Sequence, residues 1–212
     1  RRAIRLCDLN DDKVLRKKIS FLLNFHSDRI IKYSTKNENN KNLLDQDKLF
    51  NDLKEVNKKL SSFSSPLWKL INNIQDDKIV LFEGAQGSLL DVDFGTYPYV
   101  TSSNTISGQI FSGSGLGIRN NIKILGVTKA YTTRVGAGPF PTEQINSIGD
   151  YLGKIGKEYG TVTKRKRRCG WFDANLVNQS VKISGINNII LTKLDVLDDL
   201  NEIKICVGYK IE

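Results

Sequence analysis

The sequence contains no methionine, a single histidine, three cysteines and only four prolines. Without methionine, and opening on Arg1-Arg2, the chain shows no natural start and reads as an interior piece of a longer protein. With His26 as its one imidazole, any chemistry that needs two must draw on other groups. Cys7, Cys169 and Cys206 are odd in number and widely spaced, with no metal-type pairing and a poor fit to a disulfide framework. They fit reduced thiols in a cytoplasmic setting. No run is apolar enough or long enough for a membrane span. No apolar core follows the opening arginines, so no export signal is read.

What is present is positive charge and length. The formal net charge is +9 over 212 residues, enough chain for one domain with a core of its own or two small ones. The charge points to anionic partners, either nucleic acid or small phosphates. Lysines scattered through the first third read as solvated surface.

Apolar spacing predicts a helix over 11–33, begun by Asp11 or Asp12, with His26 on or near its exposed side. Lys36 to Lys41 reads as a loop. A second helix covers Leu49 to Leu60, and a third starts at Ser64-Ser65-Pro66 with Leu67, Leu70, Ile71 and Ile74 as its stripe. Residues 11–78 together read as a helical subdomain. Short apolar runs at Ile79–Phe82, Ile122–Val127, Ile189–Val196 and Ile203–Tyr209 predict buried strands. Helices are predicted over Asn146–Tyr159 and from Asp173 to Gly185. Gly108 to Gly117 reads as close packing and a turn, because its glycine spacing is wrong for a dinucleotide loop. The fold class is α/β, a mostly parallel central sheet flanked by helices.

Four stretches carry candidate chemistry. The first is EGAQG at 83–87, where Gln86 offers a donor and an acceptor at the carboxyl end of the Ile79–Phe82 strand. It is followed by the small polar cluster Thr101 to Thr105, which predicts a capped helix start able to attract phosphate. The second is Val135-Gly136-Ala137-Gly138-Pro139-Phe140-Pro141, whose glycines and prolines fix an unusual backbone path. The third is the basic run Lys164-Arg165-Lys166-Arg167-Arg168. Five adjacent cations repel one another, so this loop is expected to be mobile until an anion arrives. Taken alone, the run also suits a nuclear-type signal or a nucleic-acid patch, although it lies between two predicted helices. Finally, Asp195 in Thr192-Lys193-Leu194-Asp195 can accept from the ring N–H and the exocyclic amine of guanine, an arrangement that adenine lacks.

These blocks carry a resemblance. EGAQG with LLDVDFGTYPYVTSSNT, RRAIRLCDL, VGAGPFPTE, the basic run through Trp171, and TKLD together resemble adenylosuccinate synthetase. The resemblance runs from Arg1 to Tyr209 and is weakest over 11–78. It implies a P-loop NTPase-like fold and a cytoplasmic, homodimeric ligase of purine biosynthesis. That ligase joins IMP and L-aspartate with GTP and Mg2+, giving adenylosuccinate, GDP and phosphate.

Carried over residue by residue, the resemblance implies that Arg1 reaches the partner subunit's nucleotide phosphate. Gln86 would support the purine, Thr101 would hold the 5′-phosphate, and Val135 and Gly136 would line the nucleotide pocket. Thr161, Val162, Thr163, Lys164, Arg165, Lys166 and Arg167 would close over aspartate, with Arg165 near the ribose and Arg167 shared with GTP. Lys193, Leu194 and Asp195 would take guanine. The chain departs from the family at Lys164, where glycine is usual, and at Val162, where a threonine hydroxyl is often found. The phosphate loop, the catalytic aspartate and histidine, and the Mg2+ ligands are expected before Arg1, and further GTP contacts after Glu212. The 212 residues alone are thus expected not to catalyse. Two other readings remain at this point, a basic nucleic-acid-binding module and a regulatory GTP switch, the latter needing a phosphate loop.

Overall fold

The first long helix begins where a carboxylate can satisfy its open end. Asp11 Oδ1 accepts from the backbone N–H groups of Lys13 and Val14 at 3.0 and 3.1 Å, and helix α1 follows over Asp12–Tyr33. The computed structural model describes residues 2–33, 45–74, 78–118, 122–160 and 164–210. The Asn- and Lys-rich stretch read as a loop lies outside them. The chain divides into two units, residues 1–66 and 67–212.

In the first unit, Asp45 caps α2 (Gln46–Leu60) by accepting from Lys48 N–H. Leu15 and Ile19 lie one turn apart on α1 and bury with Phe50 of α2 and Leu9 of a short 3₁₀ turn, Leu6–Asn10. Lys54 Nζ and Asn57 Nδ2 both donate to Leu9 O, tying α2 to that turn. His26 is not a solvated surface group. It is half-buried, edge-on to Phe25 with ring centroids 4.8 Å apart, and it lines an apolar hollow with Ile4, Leu22 and Leu53.

The second unit opens with α3, Leu67–Asn72, which is shorter than its apolar stripe suggests because only Ile71 is buried. Ile79 to Phe82 forms no strand. Ile79 is 96% and Leu81 83% exposed, and no described residue offers this segment a ladder. The small polar cluster caps no helix either. Thr101 Oγ1 donates to Leu90 O at 2.9 Å, and the next helix, α4 (Gln109–Ser114), starts at Gly108 with no side-chain cap. Thr101 to Thr105 instead wraps Asp91, which is fully buried and accepts from the N–H groups of Asp93, Phe94, Thr105 and Ile106.

The remaining strands are short and mostly parallel. Strand β1 (Leu125–Lys129) pairs in parallel with β5 (Asn188–Thr192), Leu125 opposite Asn188 and Lys129 opposite Thr192. Strand β4 (Phe172–Asp173) pairs in parallel with β6 (Ile205–Cys206). Strand β2 (Thr132–Arg134) pairs antiparallel with β3 (Arg168–Gly170), so the end of the basic run is a strand. The expected strand over Ile189–Val196 stops at Thr192. Lys193 turns the chain with a left-handed φ of 61°, and Leu194–Leu197 forms a 3₁₀ turn. Val127 and Ile189, expected to be buried, are exposed, because among the described residues β1 and β5 pair only with each other.

Helix α5 (Ser147–Ile155) is capped by Asn146, and α6 (Ala174–Ser184) is capped by Asp173 and closed by Gly185 in the left-handed region. Helix α5 ends before the predicted Tyr159, and Ile155 faces outward. Leu152 of α5 packs with Ala130, Tyr131, Cys169, Val196 and Leu197 in the core of this unit.

Leu152 is fully buried and Ile155 is 45% exposed. Leu152→Ala is therefore expected to cost about 2–5 kcal/mol in urea unfolding of the intact protein, and Ile155→Ala much less. At Asp91, burial disfavours the charged form, but the four backbone N–H donors outweigh it and hold the pKa at about 2 against an ordinary 3.8. A depressed carboxylate pKa gives stability that is complete above the unfolded value and lost as pH falls toward the folded one. The Asp91 contribution should disappear between roughly pH 4 and pH 2. Asp91→Asn should flatten that limb of the stability–pH curve.

Candidate active site

The basic run is ordered by carboxylates that take its members one at a time. Lys166 Nζ lies 2.7 Å from Asp150 Oδ1. Arg167 Nη1 lies 2.9 Å from Glu158 Oε2. Arg168 donates through Nε and Nη2 to the two oxygens of Glu143, a two-pronged pair. The mutual repulsion read from the sequence is thus offset at Lys166, Arg167 and Arg168 by one carboxylate each. Successive side chains diverge, and each reaches a different counter-charge.

The run closes a hairpin. Tyr159 bridges Lys166, and Gly160 N–H donates to Arg165 O at 2.8 Å. Lys164 N–H returns to Gly160 O at 2.9 Å. Lys164 and Arg165 are exposed. Thr161, Val162 and Thr163 lie outside the described residues, as does Arg1.

The glycine–proline block is bolted to this hairpin. Arg168 Nη1 donates to Gly136 O and Gly138 O at 3.1 and 3.0 Å. From the other side, Arg134 donates to Ala137 O, to Thr96 Oγ1 and to Tyr99 O. Gly138 has φ +115°, and a Cβ there would run into the Arg134 guanidinium, so glycine is required. Gly136 also has a left-handed φ, and Val135 and Gly136 are both exposed. Two arginines thus join the 96–99 turn, the 135–138 loop and the basic hairpin into one assembly.

Beneath Arg167 sits a group that reading the sequence did not single out. Glu158 is 2% exposed and accepts from Lys129 Nζ with both oxygens at 2.7 Å, from Tyr131 OH at 2.6 Å and from Arg167. Burial opposes its ionisation, but these donors prevail and hold the carboxyl below its usual range. Lys129 is pushed down despite its partner, because desolvation, with Arg167 and Lys193 nearby, exceeds the gain from Glu158. Burial, then the bond to Glu158, pushes the Tyr131 phenol well up. The signal for this cluster was available as a need for counter-charge. Glu143, Asp150 and Glu158 punctuate the segment just before five cations.

The guanine candidates meet the same region through a lysine. Lys193 Nζ donates to Gly156 O at 2.7 Å, next to the Glu158 turn, while Leu194 and Asp195 are exposed at the end of β5. Gln86 is exposed. The Thr101 hydroxyl is engaged within its own loop. Among the described residues no group of three or more His, Cys, Asp or Glu is placed to hold a metal ion.

Lys164 has φ 52°, the left-handed region where L side chains are strained. The departure from glycine is therefore borne by a strained backbone. Lys164→Val should be less stable than Lys164→Gly by about 1–2 kcal/mol in denaturant unfolding of the intact protein, since a β-branched residue suits this region least.

A family model described as adenylosuccinate synthetase matches residues 1–212. Adenylosuccinate synthetase of Wolbachia pipientis wMel is 51% identical over 211 residues, 99% of this chain and 48% of that protein. The enzyme of Ehrlichia canis (strain Jake) is 52% identical over 214 residues, again with 48% of its length covered. The chain therefore spans about half the length of the curated relatives it matches. The solved structure of fully ligated adenylosuccinate synthetase from Plasmodium falciparum superposes with a TM-score of 0.77 at 40% identity, over 96% of this chain and 46% of that one. A match along its whole length, with half of the positions identical, establishes that this chain belongs to the adenylosuccinate synthetase family.

Proposed function

We propose that the chain is part of an enzyme that joins IMP to L-aspartate at the expense of GTP. The observation that carries this reading is the family match over all 212 residues. The purine 6-oxygen is first phosphorylated, and the aspartate amine then displaces the phosphate, leaving adenylosuccinate, GDP and phosphate.

In this reading Gln86 hydrogen-bonds the purine and supports charge developing at its 6-oxygen. Thr101 takes the 5′-phosphate, and Val135 and Gly136 wall the nucleotide. Residues 161–167 close over aspartate, with Arg165 toward the ribose. Arg167, a fork of fixed donors, serves both the aspartate carboxylate and GTP. Lys193 lays its stem along the guanine ring beside Leu194, and Asp195 accepts from the guanine edge. Arg1 crosses a homodimer interface to the partner's nucleotide. Mg2+ is held by residues other than those described, and the enzyme works in the cytoplasm. No helix among the described residues is long and apolar enough to cross a membrane. The nucleic-acid reading finds no support in the family match, and the pairing of Lys166, Arg167 and Arg168 with carboxylates argues against a contiguous basic face.

The test is adenylosuccinate and phosphate formation by the full-length protein from IMP and aspartate, with GTP compared against ATP. GTP-dependent product is expected, and its absence overturns the reading. Asp195→Asn should cut the preference for GTP over ATP by roughly 100-fold or more, because discrimination rests on a carboxylate that adenine leaves unpaired. An unchanged preference would remove Asp195 from the guanine site.

A further inference from the structure

We infer that Glu158 is a positioning residue that sets the Arg167 guanidinium for an anionic substrate and ties that setting to strand β1. The inference rests on the proposed role of Arg167 toward aspartate and GTP. Glu158 is buried beneath the hairpin and shares its two oxygens among three donors, Lys129 at the end of β1, Tyr131 just after it, and Arg167. Its backbone joins in, since Arg167 N–H donates to Glu158 O at 2.9 Å. Arg167 is thus held twice by one residue, at the main chain and at the guanidinium.

The charge balance leaves Arg167 with capacity to spare. One carboxylate faces Lys129 and Arg167, with Lys193 close by, so the cluster carries surplus positive charge. Arg167 Nε is buried with no hydrogen-bond partner. Such a donor is costly to leave unmade, while the side chain as a whole is still 31% exposed and open to an acceptor from solvent. Glu158 therefore fixes one prong of the fork and leaves the rest available. Tyr131 reinforces this from the core, where its ring packs with Leu152 and Cys169. Glu158 itself touches no substrate in this arrangement.

The test uses the full-length enzyme with Glu158→Gln, Arg167→Ala and the double variant, and with Tyr131→Phe, which keeps the core ring and removes one donor. Glu158→Gln should raise KM for L-aspartate about ten- to 100-fold with a smaller change in kcat, the loss expected for one charge-assisted bond. In the Arg167→Ala background the same substitution should add almost nothing, since Glu158 acts through Arg167. Tyr131→Phe should show a smaller rise with the same dependence on Arg167. In the ligand-free enzyme, trypsin should cut after Lys164, Arg165 or Lys166 faster in Glu158→Gln than in wild type, a readout that needs no activity.

Additive effects in the double variant, or a fall in KM for aspartate, would overturn the inference, the latter by making Glu158 a competitor for Arg167. If Glu158→Gln does not fold, the Tyr131→Phe cycle decides by the same criteria. An Arg167→Ala enzyme with unchanged KM for aspartate and GTP would instead overturn the role of Arg167, and the inference with it. Faster cleavage in Glu158→Gln would then show a clamp of the hairpin alone.

Discussion

The buried carboxylate of Glu158 is the interaction on which the second unit's chemistry depends. An ionised carboxylate removed from water costs several kcal/mol unless charge and hydrogen bonds replace its hydration. Here the replacement comes from three side chains on two stretches, Lys129 and Tyr131 about the end of β1 and Arg167 in the basic run. Because the group is buried, these donors cannot be exchanged for water, and their positions become mutually fixed. The end of β1, the first residues after it and the middle of the basic run are thereby held to one point. Cys169, whose thiol is pushed up by burial, packs beside this point as an inert core residue.

A second layer repeats the device with arginines at its centre. Arg134 and Arg168 sit opposite each other across the β2–β3 ladder. Each sends its guanidinium to backbone carbonyls of the 135–138 loop. Carbonyl oxygens can converge on a guanidinium only if the loop turns sharply, and the positive φ values of Gly136 and Gly138 supply that turn. Glu143 completes the arrangement by neutralising Arg168 and raising its affinity for the proton, while the carboxyl itself is lowered. The rigid block that the glycines and prolines suggested is thus rigid because of the arginines it shelters.

Much of this was legible from residue pattern. The caps at Asp11 and Asp173 and the stop at Gly185 stand where the chemistry of those residues places them. The α/β class and a mostly parallel arrangement of strands followed from short apolar runs between helical patterns. What pattern could not supply was pairing at a distance. Ile79 to Phe82 has the composition of a buried strand, yet a strand exists only where another backbone completes its ladder. Thr101 to Thr105 has the composition of a helix cap, yet the buried Asp91 carboxylate captures the N–H groups of Thr105 and Ile106 for a loop. The basic run was read for its mutual repulsion alone, without the three carboxylates that disperse it.

That dispersal also bears on what the positive charge is for. A surface that binds a nucleic-acid backbone keeps its cations side by side and facing solvent, so that several phosphates are met at once. Here Lys166 reaches Asp150 on α5, Arg167 turns to buried Glu158, and Arg168 turns to Glu143. Three of five consecutive cations are each committed to a separate partner, and the array a polyanion would need is broken. An arrangement with one fork partly engaged and still partly exposed suits a small anion that arrives singly and is recognised by direction. The net positive charge of the chain can raise the local concentration of such anions, while selection among them rests on the geometry that Glu158 holds.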